Sequence, residues 1–270
     1  MEKHATAGGN ELKTVQVVLL RSIFHRMMNL AWLVFRRREG RWQISRQTPR
    51  KHHRAAGQGP TGPVACSPSS RVEAFSDGVF AVAITLLVLG LKTPAHRGTL
   101  LRDLLAQWPA YVAYLASFAY VGVIWVNHHQ LFTRIVRVNA GLLWRNLALL
   151  LTTSVLPFPT AVIGSAFQLG DRADESAALA LYAATGATTA ATWLLLFHFL
   201  SHTPRLLVDE AHAAFFARER HRAVAGIALY AVSGLCAVRY PVAGLTIACV
   251  LPVFYGVTSA GLRSPGPRGP

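Results

Sequence analysis

The reading of the chain turns on Arg71-Val-Glu-Ala-Phe-Ser-Asp-Gly-Val-Phe-Ala-Val-Ala-Ile-Thr-Leu-Leu-Val-Leu-Gly-Leu91, followed by Lys92, Thr93 and Pro94. From Ser76 to Leu91 it is apolar apart from Asp77 and Thr85 and approaches the roughly 20 residues a helix needs to cross a hydrocarbon core. Its polar residues stand at the start, where an unpaired charge costs roughly 2.5–3.5 kcal/mol on insertion scales. Arg71, Ser76 and Asp77 are therefore expected to find partners inside a helical bundle. Within one continuous helix Arg71 and Asp77 fall on opposite faces. Their direct pairing needs a neighbouring subunit, or a helix start at Ser76 or Asp77 acting as an N-cap. Deeper in the segment, Val82, Thr85, Leu86 and Leu89 recur at i, i+3, i+4 and i+7, an aliphatic stripe with a single hydroxyl. Such a stripe suits the wall of a narrow pore, and it also arises by composition in a helix that merely faces lipid.

Beyond this segment the chain continues as further apolar blocks, giving six in all: Ser76–Leu91, Trp108–Val126, Leu142–Phe167, Ala177–Leu200, Ala223–Val238 and Val242–Ala260. The expected fold is an all-α membrane protein of six transmembrane helices. Basic residues set its orientation. The N-terminal region, the loop with Arg134, Arg137 and Arg145, the loop with Arg205, Arg218, Arg220 and Arg222, and the tail with Arg263 fall on one side, cytoplasmic by the positive-inside rule. The opposite side receives Asp171, Asp174 and Glu175 against Arg172, and the turn at Tyr240–Pro241. The loop with Lys92, Arg97 and Arg102 departs from the pattern. Both termini are thereby expected in the cytoplasm, with the chain in the cell membrane.

Composition agrees. The 270 residues are 52% hydrophobic and 14% charged, and the apolar ones form long blocks rather than short core segments. A net charge of +15 would ordinarily suggest nucleic acid. Here the basic residues crowd into the first 70 positions and the short loops, which fits membrane orientation and argues against a nucleic-acid partner. Residues 1–70 read as a basic extension. Val15–Phe35 carries Arg21, His25, Arg26 and Asn29 on one face, as an interfacial amphipathic helix would, and 57–70 is a Gly/Pro/Ser-rich linker. The alternative is an unfolded basic arm held to anionic lipid by charge. Residues 71–262 form the membrane domain and 263–270 a short tail. Cys66, Cys236 and Cys249 share no metal or redox spacing.

A second polar set closes the second block: Trp125-Val-Asn-His-His-Gln, with Arg134 and Arg137 beyond. His128 or His129 is placed to share hydrogen bonds with Asp77 at the same membrane depth, or to be solvated at the interface. Neighbours on a helix point about 100° apart and no third ligand is spaced to join them, so metal binding is not expected. Pro157 and Pro159 in Leu156-Pro-Phe-Pro-Thr160 should kink the third block. Gly186 and Ala190 in the fourth offer a small-residue surface for close helix packing.

Together, Arg71-x-x-x-Phe75-Ser76-Asp77-Gly78, the Ile84-Thr85-Leu86-Leu87 core, Ser117-Phe118, Trp125-x-x-His128-His129, Asn146 and Leu156-Pro-Phe-Pro-Thr160 resemble the transmembrane protein 175 family of potassium channels. The resemblance covers roughly residues 71 to 260, and the N-terminal 70 have no counterpart in it. It implies a homotetramer of single-repeat, six-helix subunits whose first helices line a pore without a carbonyl filter of the TVGYG type. By resemblance, the constriction or hydrophobic gate falls at Val82, the hydroxyl at Thr85 and further apolar layers at Leu86 and Leu89. Arg71, Phe75, Ser76, Asp77, Trp125, Asn146 and one of His128 and His129 supply the motif and gating network. K⁺ is the implied permeant ion, with H⁺ a second candidate, and no cofactor is implied. Val82 is smaller than the isoleucine or leucine common there, which widens the constriction or shifts it toward Leu86 or Leu89.

Three rivals remain. A secondary transporter would use Arg71, Asp77 and His128 as an ion relay, though no second half visibly repeats the first. An embedded enzyme lacks a nucleophile–base pair, so catalysis is not expected. A scaffold without transport would be indifferent to the Val82, Thr85 and Leu86 side chains.

Overall fold

The computed structural model describes residues 68–94, 98–209 and 212–258. The chain divides into two compact units, Met1–Ser67 and Pro68–Pro270, and the described residues all belong to the second. The Val15–Phe35 amphipathic helix, most of the linker, Cys66, Arg97 and the 263–270 tail lie outside them.

The second unit is all-helical, with an isolated bridge between Ile135 and Leu207 as the one β contact among the described residues. In chain order the helices are α1 (Pro68–Leu87), α2 (Leu100–Ala106), α3 (Trp108–Phe132), α4 (Ala140–Val155), α5 (Pro157–Leu169), α6 (Arg172–Ser201), α7 (His212–Arg239) and α8 (Pro241–Thr258). Among the described residues, five segments are long and apolar enough to cross a membrane: Ser69–Gly90, Trp108–Phe132, Ala140–Leu169, Arg172–Ser201 and His212–Arg239. A sixth, Pro241–Gly256, is apolar but shorter.

Local chemistry accounts for the ends. Pro68 opens α1, where a missing N–H leaves no helical bond unmade. The expected start at Ser76 or Asp77 is not made: Ser76 is interior to α1 and its hydroxyl donates to Val72 O at 2.8 Å. Serine bonded back to the i−4 carbonyl is content inside a helix and has no need to cap one. Asn139 caps α4, its Oδ1 accepting from Leu142 N–H at 2.9 Å. Asp171 caps α6, accepting from the N–H groups of Ala173 and Asp174 at 2.8 and 3.1 Å, while Asp174 and Glu175 in the first turn complement the helix dipole.

At the expected kink the hydrogen-bond ladder is interrupted, while Leu156 between the two helices keeps helical dihedrals, φ −51° and ψ −38°. Pro157 brings no N–H to the ladder, so α4 stops at Val155 and α5 begins anew at Pro157, both serving one crossing. Gly170 ends α5 in the left-handed conformation, φ 72°.

The close-packed pair is α6 with α7. Gly186 gives Tyr230 its place: a Cβ there would stand 2.6 and 2.7 Å from two atoms of a ring that is fully buried. The small-residue surface read from Gly186 and Ala190 is thus a helix-packing seam, as expected. On the other side of the bundle, α1 packs on α3, α4 and α5. After it a 3₁₀ turn, Val88–Gly90, brings Gly90 against Ala161, whose Cβ a side chain at 90 would meet at 3.1 Å.

Candidate functional site

α1 has two faces. Ser76, Phe80, Ala83 and Leu87 are buried, at helical spacing, against the bundle. Val82 and Leu86, exposed by 56 and 41%, lie on the other side together with exposed Thr85, and Leu89, 74% exposed, follows in the 3₁₀ turn beyond α1. The Thr85 hydroxyl donates to Val82 O at 2.8 Å. With its proton committed to the backbone, the oxygen presents lone pairs outward, the polarity that suits a cation.

The buried face is tied down by a polar chain across three helices. Ser76 Oγ donates to Val72 O at 2.8 Å and accepts from Asn146 Nδ2 at 2.9 Å; Asn146 Oδ1 in turn faces His128 Nε2 at 2.9 Å. The amide nitrogen of Asn146 is spent on Ser76, so its oxygen must accept and His128 must carry its proton on Nε2. The chain therefore runs one way, from His128 through Asn146 and Ser76 to the backbone. Ser76, His128 and Asn146 are 0, 0 and 2% exposed, where a missing partner is costly. Phe80 meets the His128 ring edge-on at 5.1 Å and Phe132 stacks on it at 4.5 Å, fixing its plane.

Toward the end of the bundle that holds Glu73, a second set joins α1 to α3. Trp125 Nε1 donates to Asp77 Oδ1 at 3.0 Å, and His129 Nδ1 meets Glu73 Oε1 at 2.7 Å. The two rungs pair residues one turn apart on antiparallel helices: 73 and 77 with 129 and 125.

This arrangement corrects the expected ties of Arg71 and Asp77 to the histidines. Neither histidine bonds Asp77, which Trp125 holds. Arg71 is exposed and joins none of these bonds. Phe75, 58% exposed, projects from the same end of α1. The adjacent histidines do diverge, one to the buried chain and one to the half-exposed rung. Glu73 went unnoticed in the sequence. The signal for it was there: acids at 73 and 77 have the same i, i+4 spacing as the donors at 125 and 129.

The family model described as endosomal/lysosomal potassium channel TMEM175 matches residues 71–157, from α1 to the α4–α5 break. A potassium channel of Streptomyces collinus is 40% identical over 193 residues, 70% of this chain and 91% of that protein. One of Chamaesiphon minutus is 48% identical over 101 residues, 36% of this chain and 50% of that protein. The crystal structure of a lysosomal potassium-selective channel TMEM175 homolog from Chamaesiphon minutus superposes with a TM-score of 0.62 at 32% identity, covering 70% of this chain and 96% of that one. These relatives are ion channels, not enzymes. With nearly the whole length of the Streptomyces protein matched and the fold shared, the chain belongs to the TMEM175 family, as a single-repeat member of the prokaryotic type.

Proposed function

We propose that this protein is a modestly K⁺-selective cation channel, a homotetramer in the cell membrane whose four α1 helices line a central pore. Its constriction is formed by Val82, Leu86 and Leu89, with Thr85 as the hydroxyl ring. One observation carries the reading. The helix anchored most carefully by polar bonds on its inner face leaves an aliphatic stripe uncovered on its outer face, and only 22% of its apolar window is buried, against 50% for α6. That relatives covering most of the chain are named potassium channels supports K⁺ as the ion.

The physics is that of an apolar ring. It gates by dewetting, and the ion must shed part of its hydration to pass. K⁺ sheds water more cheaply than Na⁺, so four Thr85 oxygens that replace a hydration shell only in part favour K⁺. H⁺ is a second candidate through the same wetted pore. The basic loops support a cytoplasmic side for both termini, by the positive-inside rule. The transporter alternative, with Arg71, Asp77 and His128 as a relay, is less well supported because Asp77 is bonded to Trp125 and His128 to Asn146. Arg71 joins neither bond.

Flux into proteoliposomes tests the proposal. K⁺ uptake should exceed Na⁺ uptake, and Leu86→Asn/Leu89→Asn should raise flux about tenfold, ~1.4 kcal/mol of barrier, by wetting the constriction. Flux that is absent for both ions, or unchanged by the variant, would remove α1 from the conduction path. Saturation at low ion concentration would favour the transporter.

A further inference from the structure

Where α4 begins and α6 ends, Arg145 on α4 lies over Phe199, which His198 precedes on α6 with His202 just beyond its end, and the charge of Arg220 on α7 reaches His198. The Arg145 guanidinium is held in place. Its Nη1 donates to Gly141 O at 2.9 Å, and its Cζ lies 4.2 Å above the Phe199 ring. Gly141 makes the room, since a Cβ there would stand 3.0 Å from Phe199 and 3.4 Å from Arg145 Nη1. One donor is spent, and the rest of the fork remains. His198 and His202 approach with ring centroids 4.4 Å apart. His202 Nδ1 donates to His198 O at 2.8 Å, so a second proton on Nε2 would make it a cationic donor.

The charges of His202, Arg220 and Arg145 all bear on His198, and no acidic group is among the influences. Two ion pairs of the described residues, Glu73 with His129 and Glu219 with Arg222, lie outside this cluster. The carbonyl end of α6 offsets part of the charge, about half an elementary charge. Among the described residues, the two guanidiniums and two imidazoles have no bonded carboxylate, which is the donor chemistry that takes a phosphate.

Apolar stripes start at the same place. Trp144, Leu147 and Leu151, exposed by 72, 42 and 65%, follow one face of α4 from beside Arg145 into the crossing segment. Leu195, exposed by 56%, precedes His198 by one turn on α6. A soluble phosphate has no use for them, whereas acyl chains do. We propose that Arg145, His198, His202 and Arg220 form a headgroup site for an anionic membrane phospholipid, its phosphate held by the cluster and its chains lying along Trp144, Leu147, Leu151 and Leu195. The site is separate from the pore and requires only that this end of the bundle meet a membrane interface.

Native mass spectrometry of the purified full chain tests it, with dioctanoyl phosphatidylglycerol, dioctanoyl phosphatidylcholine and inorganic phosphate as probes. Phosphatidylglycerol should be retained in preference to phosphatidylcholine. Arg145→Gln/Arg220→Gln should weaken its retention by on the order of tenfold or more. Arg172→Gln/Arg239→Gln, with the same loss of charge at the far ends of α6 and α7, should leave it unchanged. A thermal unfolding midpoint like that of wild type reports that each variant is folded; if the first is not, His198→Gln/His202→Gln is judged on the same criterion. Equal retention by the cluster variant and wild type, or of the two lipids, overturns the proposal. Displacement of the lipid by inorganic phosphate in the same concentration range overturns it in favour of a soluble anion.

Discussion

Asn146 is the residue through which α1, α3 and α4 are joined, because its amide offers a donor and an acceptor in one plane. Its nitrogen serves Ser76 and its oxygen takes the His128 Nε2 proton. The one-way chain makes a directional prediction. Gln at 128 carries its NH₂ at a reach similar to Nε2, whereas Asn carries it near Nδ1 and falls short. Thermal unfolding should therefore rank wild type above His128→Gln, and His128→Gln above His128→Asn and His128→Ala. The last two leave Asn146 Oδ1 buried without a donor, at a cost of about 1–3 kcal/mol. Equal losses for Gln and Asn would mean that the imidazole acts by shape against Phe80 and Phe132 alone. At this scale the sequence showed which residues were polar in an apolar setting and that adjacent histidines must diverge. It could not assign partners, because a partner depends on helix rotation and depth, and several donors lie within a turn of each acid. Asp77 has taken an indole rather than an imidazole for that reason.

At the scale of elements, the apolar blocks located the crossing helices, while their ends were set by residues that hydropathy does not weigh. α7 begins at His212 rather than near Ala223, since His-Ala-Ala-Phe-Phe-Ala-Arg-Glu-Arg-His-Arg has good helix formers and an Arg222–Glu219 pair despite its charge. α3 runs on to Phe132, and so carries both histidines inside the helix. The short α2 was not visible at all, being too brief for a periodic signal. The α6–α7 seam was legible from Gly186 and Ala190, though not the ring that fills it. Gly186→Ala should gain about 1 kcal/mol in helix propensity and lose about 1–3 kcal/mol to overpacking against Tyr230, which is fully buried beside Tyr120. The overlap wins because the ring has nowhere to move, so the variant should melt below wild type. Tyr230→Leu, mild or destabilising alone, should restore part of the loss in the double variant. Additive effects of the two changes would show that they do not meet.

For the molecule as a whole, the decisive surface is the stripe that a single chain leaves bare. Sequence periodicity gave Val82, Thr85, Leu86 and Leu89 as one face and could go no further, because lipid and a neighbouring helix both accept an aliphatic stripe. The fold adds that the opposite face of α1 is spoken for by Phe80, Ala83, Leu87 and the Asn146 chain, which removes rotation of the helix as an escape. Water separates the two surroundings. In a pore, side chains at 82, 85 and 86 meet water at least when the gate is wetted, whereas a lipid-facing helix never does. Single cysteines at Val82, Thr85 and Leu86, in a background with the three native cysteines replaced by serine, should react with a charged methanethiosulfonate reagent in proteoliposomes, and the reaction should cut K⁺ flux. Cysteine at Leu151, exposed on α4 in a crossing segment, should resist the same reagent. Labelling that depends on assembly, lost where the native mass falls from four times the 29.4 kDa chain to one, would tie the water to a tetrameric axis. No reaction at any of the three α1 positions would instead put lipid, not water, against α1 and leave the pore to be sought on another helix.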